Sequence, residues 1–178
     1  MKNIYALFLD RDGVINYSLI KNKKPFPPLS IKELKIIPEI KEVIQFAKNR
    51  EMKVFVVTNQ PDVARGLTSK EAIEEINQFI KSNLNIDEIF TCYHDNDENC
   101  KCRKPKPGAL VDLSKKYGID LSNSIMIGDR AKDIKAAKNA NCASIFVDYN
   151  YNEQKPVDQS YTVKKVGQLL KVLEKHYE

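Results

Sequence analysis

Short, nearly unbroken apolar runs recur along this chain, and helical spacing fills the stretches between them. Ile4 to Leu9, Val54 to Val57, Ile125 to Ile127 and Ile145 to Val147 are the clearest runs, with a shorter one near Glu88 to Thr91. A strand without in–out alternation has both faces buried, which predicts a parallel sheet covered by helices on each side. Pro38 suits a first helical turn, and Ile40, Val43, Ile44 and Ala47 follow at helical spacing. Thr68-x-x-Glu71 predicts a capping box ahead of the face formed by Ile73, Ile76, Phe79 and Ile80. Pro107 opens a helix carrying Leu110, Leu113 and Tyr117, and Gly118 supplies its stop. The Ala- and Lys-rich residues 131–140 predict another helix, and Val163, Val166, Leu169, Leu170 and Leu173 a final one. This alternation predicts the α/β class, and a length of 178 residues suits one domain, residues 1–178.

In such sheets ligands bind beyond the carboxyl ends of the strands. Each polar cluster of the chain follows an apolar run: Asp10 and Asp12, then Thr58, Asn59 and Gln60, then Cys92 and His94, then Asp129. The fold is therefore expected to gather them at one edge. Residues 17–37 form the one long insertion, which Pro25, Pro27 and Pro28 stiffen.

Composition excludes several classes. No apolar run approaches the length of a membrane span, and Met1-Lys2-Asn3-Ile4-Tyr5 lacks the pattern of a signal peptide, so a cytoplasmic protein is expected. The net charge of +5 suits a Lys-rich solvated surface or attraction for phosphates. The lysines are spread out with no aromatic interleaving, which argues against nucleic acid as a partner.

The sharpest chemistry lies in Leu9-Asp10-Arg11-Asp12-Gly13. Strand side chains alternate, so both carboxylates are expected to leave the sheet edge on one side, and Gly13 lets the backbone turn close to a ligand. Such a pair can divide its labour, one group attacking or holding a metal and the other moving a proton. Singly, each element has an ordinary reading: solvated turn acids, helix caps at Thr58 and Asp129, a surface lysine at Lys104. In combination, Asp10-x-Asp12, Thr58, Lys104 and Gly128-Asp129 match in order the four motifs of the haloacid dehalogenase superfamily, and residues 4–148 resemble its phosphatases.

That resemblance implies a Rossmann-like three-layer α/β/α fold with a parallel central sheet and no large cap domain. It also implies Mg²⁺ dependence and an aspartyl-phosphate intermediate. Asp10 becomes the nucleophile, Asp12 the proton donor and acceptor, and Thr58 and Lys104 the holders of the phosphoryl oxygens. The Mg²⁺ ligands become Asp10, Asp129 and the backbone carbonyl of Asp12. Dehalogenases of the superfamily lack the second acid, and its phosphatases have it.

A second metal site is legible from the residues alone. Cys92-x-His94 and Cys100-x-Cys102 fall within eleven residues, 92–102. Four N/S ligands suit tetrahedral Zn²⁺ with no position left for water, hence a structural site. Disulfides are the alternative, but a cytoplasmic chain argues against them. Cys142 lies outside the cluster and reads as a small core residue. The loop ends at Arg103 and Lys104, so a zinc there is expected to hold Lys104 in place.

The zinc loop followed by Cys102-Arg103-Lys104-Pro105-Lys106-Pro107-Gly108 resembles the histidinol-phosphatase-type subfamily, and within it most closely the D-glycero-D-manno-heptose 1,7-bisphosphate 7-phosphatases. Leu9 to Asn16, Val57 to Gln60, Ala64 to Gly66 and Gly128 to Arg130 match as well. The resemblance implies substrate contacts at Arg103 and Arg130, with Asn59 and Gln60 lining the same pocket, and a small phosphorylated sugar as partner of a monomer. Histidinol phosphate, a polynucleotide 3′-phosphate and an inactive zinc-stabilised binding module are the alternatives. Two departures concern substrate: Pro61-Asp62 follows Gln60 where Ser-Gly is usual, and the segment Tyr17 to Pro28 is longer and basic. Lys21, Lys23 and Lys24 are either solvated charge or a clamp for a second phosphate.

Overall fold

Six parallel strands build the central sheet of the computed structural model, which describes residues 4–178. Met1, Lys2 and Asn3, part of the N-terminal reading above, lie outside the described residues. The strands are β1 (Ala6–Leu9), β4 (Lys53–Asn59), β5 (Glu88–Cys92), β6 (Ile125–Gly128), β7 (Ala143–Val147) and β8 (Tyr161–Val163), in the order β5-β4-β1-β6-β7-β8. All the pairings are parallel, with Phe8 opposite Phe55 on one side and Met126 on the other.

Alternating side chains of the buried strands feed two cores. Leu7, Leu9, Val54, Val56, Ile125 and Ile127 face one of them, and Ala6, Phe8, Phe55, Val57 and Met126 face the other. The first core is closed by α1 (Ile40–Asn49), α2 (Lys70–Asn83) and α5 (Leu169–His176), through Ile40, Val43, Ala47, Ile73, Ile76, Ile80, Leu169 and Leu173. The second is closed by α3 (Gly108–Tyr117) and α4 (Ala131–Asn139), through Ala109, Leu110, Leu113 and Ala137. Cys142 packs in that second core. The three-layer α/β/α arrangement follows from this double burial.

The chain runs from β1 out to β4 and β5, then crosses back to β6 on the far side of β1. The ends of β1 and β6 therefore flank the point where the winding reverses, the usual place for a ligand. Asp10 and Asp129 are the residues that directly follow those two strands.

Three local expectations shift. The N-cap of α2 is Ser69, whose hydroxyl accepts from the Ala72 amide, so the cap falls one residue after Thr68 and, with Ala72 as third residue, is a single bond rather than the expected Thr68-x-x-Glu71 box. Val163 ends the edge strand β8, and the last helix starts only at Leu169, because Tyr161 and Val163 pair with Ile145 and Val147. The insertion contains a hairpin, β2 (Leu19–Lys21) paired antiparallel with β3 (Lys24–Phe26). Asn22 and Lys23 form its tip with φ of 52° and 59°, the left-handed pair that a two-residue hairpin turn requires. No helix among the described residues is long and apolar enough to cross a membrane.

Candidate active site

The backbone leaves the sheet immediately after Leu9 and turns tightly. The Arg11 carbonyl accepts from the amides of Val14, Ile15 and Asn16, at 3.3, 2.8 and 3.1 Å. The two acids are thus aimed by a turn rather than by strand alternation. Gly13 has φ of 91°, and a Cβ there would lie 2.0 Å from Asp129 Oδ2. Only glycine allows this loop to approach the end of β6.

Asp10 is buried, and its Oδ1 accepts from the Arg11 amide at 2.8 Å and from Lys104 Nζ at 2.8 Å. No donor among the described residues reaches its Oδ2. Burial alone would raise the Asp10 pKa, but the charges of Lys104 and Lys132 and the hydrogen bonds from Lys104 and the Arg11 amide outweigh it, and the net shift is downward. The group is held as a carboxylate, the form that can attack.

Lys104 is 2 % exposed and spends its ammonium on Asp10, the Val57 carbonyl at 2.7 Å and Asp133 Oδ1 at 2.6 Å. Burial opposes its charge, and Asp10 and Asp133 restore it, so its pKa rises overall. Its backbone is fixed from β4: Asn59 donates to the Lys104 carbonyl at 3.0 Å and accepts from its amide at 3.2 Å. Asn59, expected to contact substrate, lines the cavity but uses both amide atoms to hold Lys104.

Asp129 is buried with Oδ1 unpartnered, while Oδ2 accepts from Tyr151 at 2.9 Å. Burial, then the charges of Asp10 and Asp133, push its pKa well above the usual range. Carboxylate oxygens of Asp10, Asp129 and Asp133 lie within 4.8 Å of one another. An orphaned buried oxygen beside two more acids fits a hard divalent cation, which prefers oxygen ligands and would relieve this repulsion.

Above these groups opens a cavity of about 540 Å³, lined by Asp10, Asp12, Asp129 and Lys132, by Lys24 and Phe26 of the hairpin, and by Arg65, Arg103 and Arg130. Arg65 is tied bidentately to Asp95, both contacts 2.7 Å. Its hydrogen bonds bring the Asp95 carboxyl down to about 2. Arg130 is paired with Glu153. Arg103 folds back onto the Cys/His loop, donating to Asn96 Oδ1 at 3.0 Å and the His94 carbonyl at 3.1 Å. Gln60 departs from expectation. It is fully buried and, rather than lining the cavity, bridges Thr58 Oγ1 and Asp12 Oδ2, each at 2.8 Å.

The Cys/His loop brings its four ligand atoms into a tetrahedron. Cys102 Sγ lies 3.3 Å from Cys92 Sγ, 3.6 Å from Cys100 Sγ and 3.5 Å from His94 Nδ1, and Cys92 Sγ lies 3.7 Å from Cys100 Sγ and 3.5 Å from His94 Nδ1. Metal–sulfur bonds of about 2.3 Å give tetrahedral S···S edges of about 3.8 Å. All four cysteines are free thiols, so disulfides are not the reason for the spacing.

Sequence reasoning missed Asp133 and Lys132. Asp133 was findable: it stands four residues after Asp129, at the third position of α4, and its carboxylate accepts from the Arg130 amide at 3.0 Å as a helix-capping acid does. Lys132 and Tyr151 carry no such spacing signal.

A haloacid dehalogenase-like hydrolase family model matches residues 6–141. This chain belongs to that family. It is 36% identical over 143 residues to D-glycero-beta-D-manno-heptose-1,7-bisphosphate 7-phosphatase of Helicobacter pylori, covering 76% of this chain and 78% of the relative. It is 35% identical over 155 residues to D-glycero-alpha-D-manno-heptose-1,7-bisphosphate 7-phosphatase of Campylobacter jejuni, covering 84% of each. A solved structure, the D,D-heptose 1,7-bisphosphate phosphatase of B. bronchiseptica complexed with magnesium and phosphate, superposes with a TM-score of 0.81 at 27% identity, covering 97% of this chain and 99% of that one. The chain is a phosphoric monoester hydrolase of the haloacid dehalogenase type, a family whose phosphatases use Mg²⁺.

Proposed function

We propose that this hydrolase removes the 7-phosphate of a D-glycero-D-manno-heptose 1,7-bisphosphate through a phosphoryl group carried on Asp10. The observation that carries the reading is the state of Asp10: one oxygen fixed by Lys104 and the Arg11 amide, the other without a protein donor, beside the orphaned oxygen of Asp129. Asp10 Oδ2 attacks phosphorus, and the ester oxygen leaves as Asp12 gives it a proton. Asp12 then takes a proton from the water that attacks the Asp10-phosphate, which releases inorganic phosphate and restores both acids. Thr58 holds an equatorial oxygen, where transition-state charge resides, and Lys104, its three donors already met by Asp10, Asp133 and the Val57 carbonyl, offsets that charge. Asp10, Asp129 and the Asp12 carbonyl would hold Mg²⁺, which when bound offsets the repulsion between carboxylate and phosphate.

Three further assignments go with this reading. Cys92, His94, Cys100 and Cys102 bind structural Zn²⁺ and so fix the loop that ends at Lys104. The whole chain acts as one domain and as a monomer in the cytoplasm. Of the three hairpin lysines, Lys24 lines the catalytic cavity, whereas Lys21 lies over the Phe26 ring and Lys23 lines a neighbouring cavity. Lys24 therefore takes the part of the clamp on the second phosphate.

The test is a steady-state screen of phosphate release with Mg²⁺ from both anomers of the heptose bisphosphate, other sugar mono- and bisphosphates, histidinol phosphate and a 3′-phosphorylated oligonucleotide. Both anomers belong in it because relatives of nearly equal identity are named for opposite ones. A heptose bisphosphate is expected to give the highest kcat/KM. A higher value for histidinol phosphate or the oligonucleotide would replace the reading.

A further inference from the structure

Arg11 stands between the two acids and is 0 % exposed, and its side chain has no part in the reaction described so far. Burying a guanidinium is costly unless its charge and hydrogen-bonding groups are met. Its partners are specific. Nε donates to Asp12 Oδ1 at 3.1 Å, Nη2 to Asp12 Oδ2 at 3.3 Å, and Nη1 to Asn77 Oδ1 at 3.2 Å. Asn77, on α2, in turn donates to Thr91 Oγ1 on β5 at 3.0 Å. Two structural elements outside the catalytic loop thus fix the fork.

The Asp12 carboxylate faces the cavity, yet both of its oxygens have further donors. Oδ1 also accepts from Asn16 Nδ2 at 3.0 Å, and Oδ2 from Gln60 Nε2 at 2.8 Å. Each amide offers one bond and can swing about it. Among the described residues only Arg11 donates to both oxygens, so it fixes the plane of the carboxylate as well as its position. Meanwhile its own amide holds Asp10 Oδ1 at 2.8 Å. One residue therefore sets the nucleophile through its backbone and the proton-transfer group through its side chain.

We propose that Arg11, braced by Asn77, is a positioning residue that aims Asp12 at the leaving oxygen; this rests on the reading of Asp12 as the proton donor. The consequence depends on the leaving group. A sugar alkoxide cannot leave without a proton, whereas p-nitrophenolate can. Both substrates pass through the same phosphoryl transfer to Asp10, which kcat/KM reports.

The test compares the wild-type protein with Arg11→Met, Asn77→Ala and Asp12→Ala, using a primary-alkyl sugar phosphate and p-nitrophenyl phosphate, each with saturating Mg²⁺. Arg11→Met is expected to lower kcat/KM about 30-fold for the sugar phosphate and no more than about threefold for the aryl ester, since a positioned acid is worth about 10²–10⁴. Asn77→Ala is expected to shift the same ratio in the same direction by about threefold to fivefold, a check that holds should the Arg11 variant not fold. If the two substrates lose kcat/KM in equal proportion in both variants, Arg11 is a structural residue and the inference fails. Asp12→Ala separates the two layers. A substrate-selective loss there without one in Arg11→Met rejects the inference alone, whereas no selectivity in Asp12→Ala rejects the proton-donor reading beneath it.

Discussion

The floor of the active site and the Cys/His loop above it solve the same problem, holding charged or ligating groups together, in opposite ways. On the floor, Lys104 is buried between Asp10, Asp133 and the Val57 carbonyl, and Asn59 grips its backbone. Strand ends supply Asp10, Val57 and Asn59, so the sheet keeps these in register, while Lys104 comes from the loop after β5 and Asp133 from α4. In the loop, Cys92 ends a strand, but His94, Cys100 and Cys102 sit in a segment of turns and one short 3₁₀ helix, Asn96–Glu98. Their ligand atoms approach one another with only thiols and an imidazole inside. Burial and the neighbouring thiols push the Cys102 thiol up to about 12, a protonated and inert state unless a cation takes the proton's place. Around Lys104 the floor meets its own charges and leaves only Asp129 Oδ1 to the proposed Mg²⁺, whereas the loop would be completed by the proposed Zn²⁺.

The sharpest way to break that contrast is to disarm the floor. Asp10→Asn removes the nucleophile and one partner of Lys104, and kcat is expected to fall by at least about 10³-fold while circular dichroism stays that of the parent. Parent-like turnover in this variant would end the covalent mechanism. Next comes the loop: zinc removal with a chelator followed by Mg²⁺ resupply, or Cys100→Ser, is expected to lower Tm by on the order of 10 °C and activity by at least about tenfold. Unchanged Tm and activity in a sample shown by elemental analysis to lack zinc would make the two regions independent.

Smaller effects sharpen the comparison at the rim. Lys24→Ala is expected to raise KM for a sugar bisphosphate about tenfold and to leave a monophosphate unaffected, because a single ammonium–phosphate contact is worth about 1.4 kcal/mol. Steady-state kinetics on the two substrates reads this directly. The smallest change concerns Asp148, which accepts from Lys155 at 2.9 Å, Lys164 at 2.6 Å and the Asn150 amide at 2.9 Å, and anchors the loop carrying Tyr151. Burial opposes its charge, but the hydrogen bonds from Lys164 and Lys155 bring its carboxyl down to about 2. Its stabilisation is therefore full above the ordinary value of 3.8 and is lost as pH falls through about 2. With both lysines largely exposed, Asp148→Asn is expected to cost about 1 kcal/mol at pH 7 by denaturant titration, and less at pH 2.

What could be read from the sequence follows the same division. The sheet and much of the floor were legible because their members sit at the ends of apolar runs: Asp10 after Leu9, Asp129 after Gly128, Thr58 at the end of β4. The cysteine spacing likewise announced a tetrahedral cluster. Local polarity misled where hydrogen bonds run across the chain. Gln60 looked like a pocket residue, yet its partners Thr58 and Asp12 turn it inward. The hairpin at 19–26 was hidden because its turn is Asn22-Lys23 rather than an Asn-Gly pair, and β8 because three residues on a sheet edge leave little pattern. Arg11 was overlooked between the two acids, since nothing in its neighbours tells that Asn77, sixty-six positions away, reaches it.

In the proposed reaction Asp10 carries the phosphoryl group during turnover. Rapid mixing with the heptose bisphosphate and Mg²⁺, acid quenching within the first turnover, and peptide mass analysis test it most directly. One added phosphoryl group is expected on the peptide containing Asp10, and none in Asp10→Asn. Full phosphate release with no labelled peptide at any quench time, or the label on another residue, would contradict it.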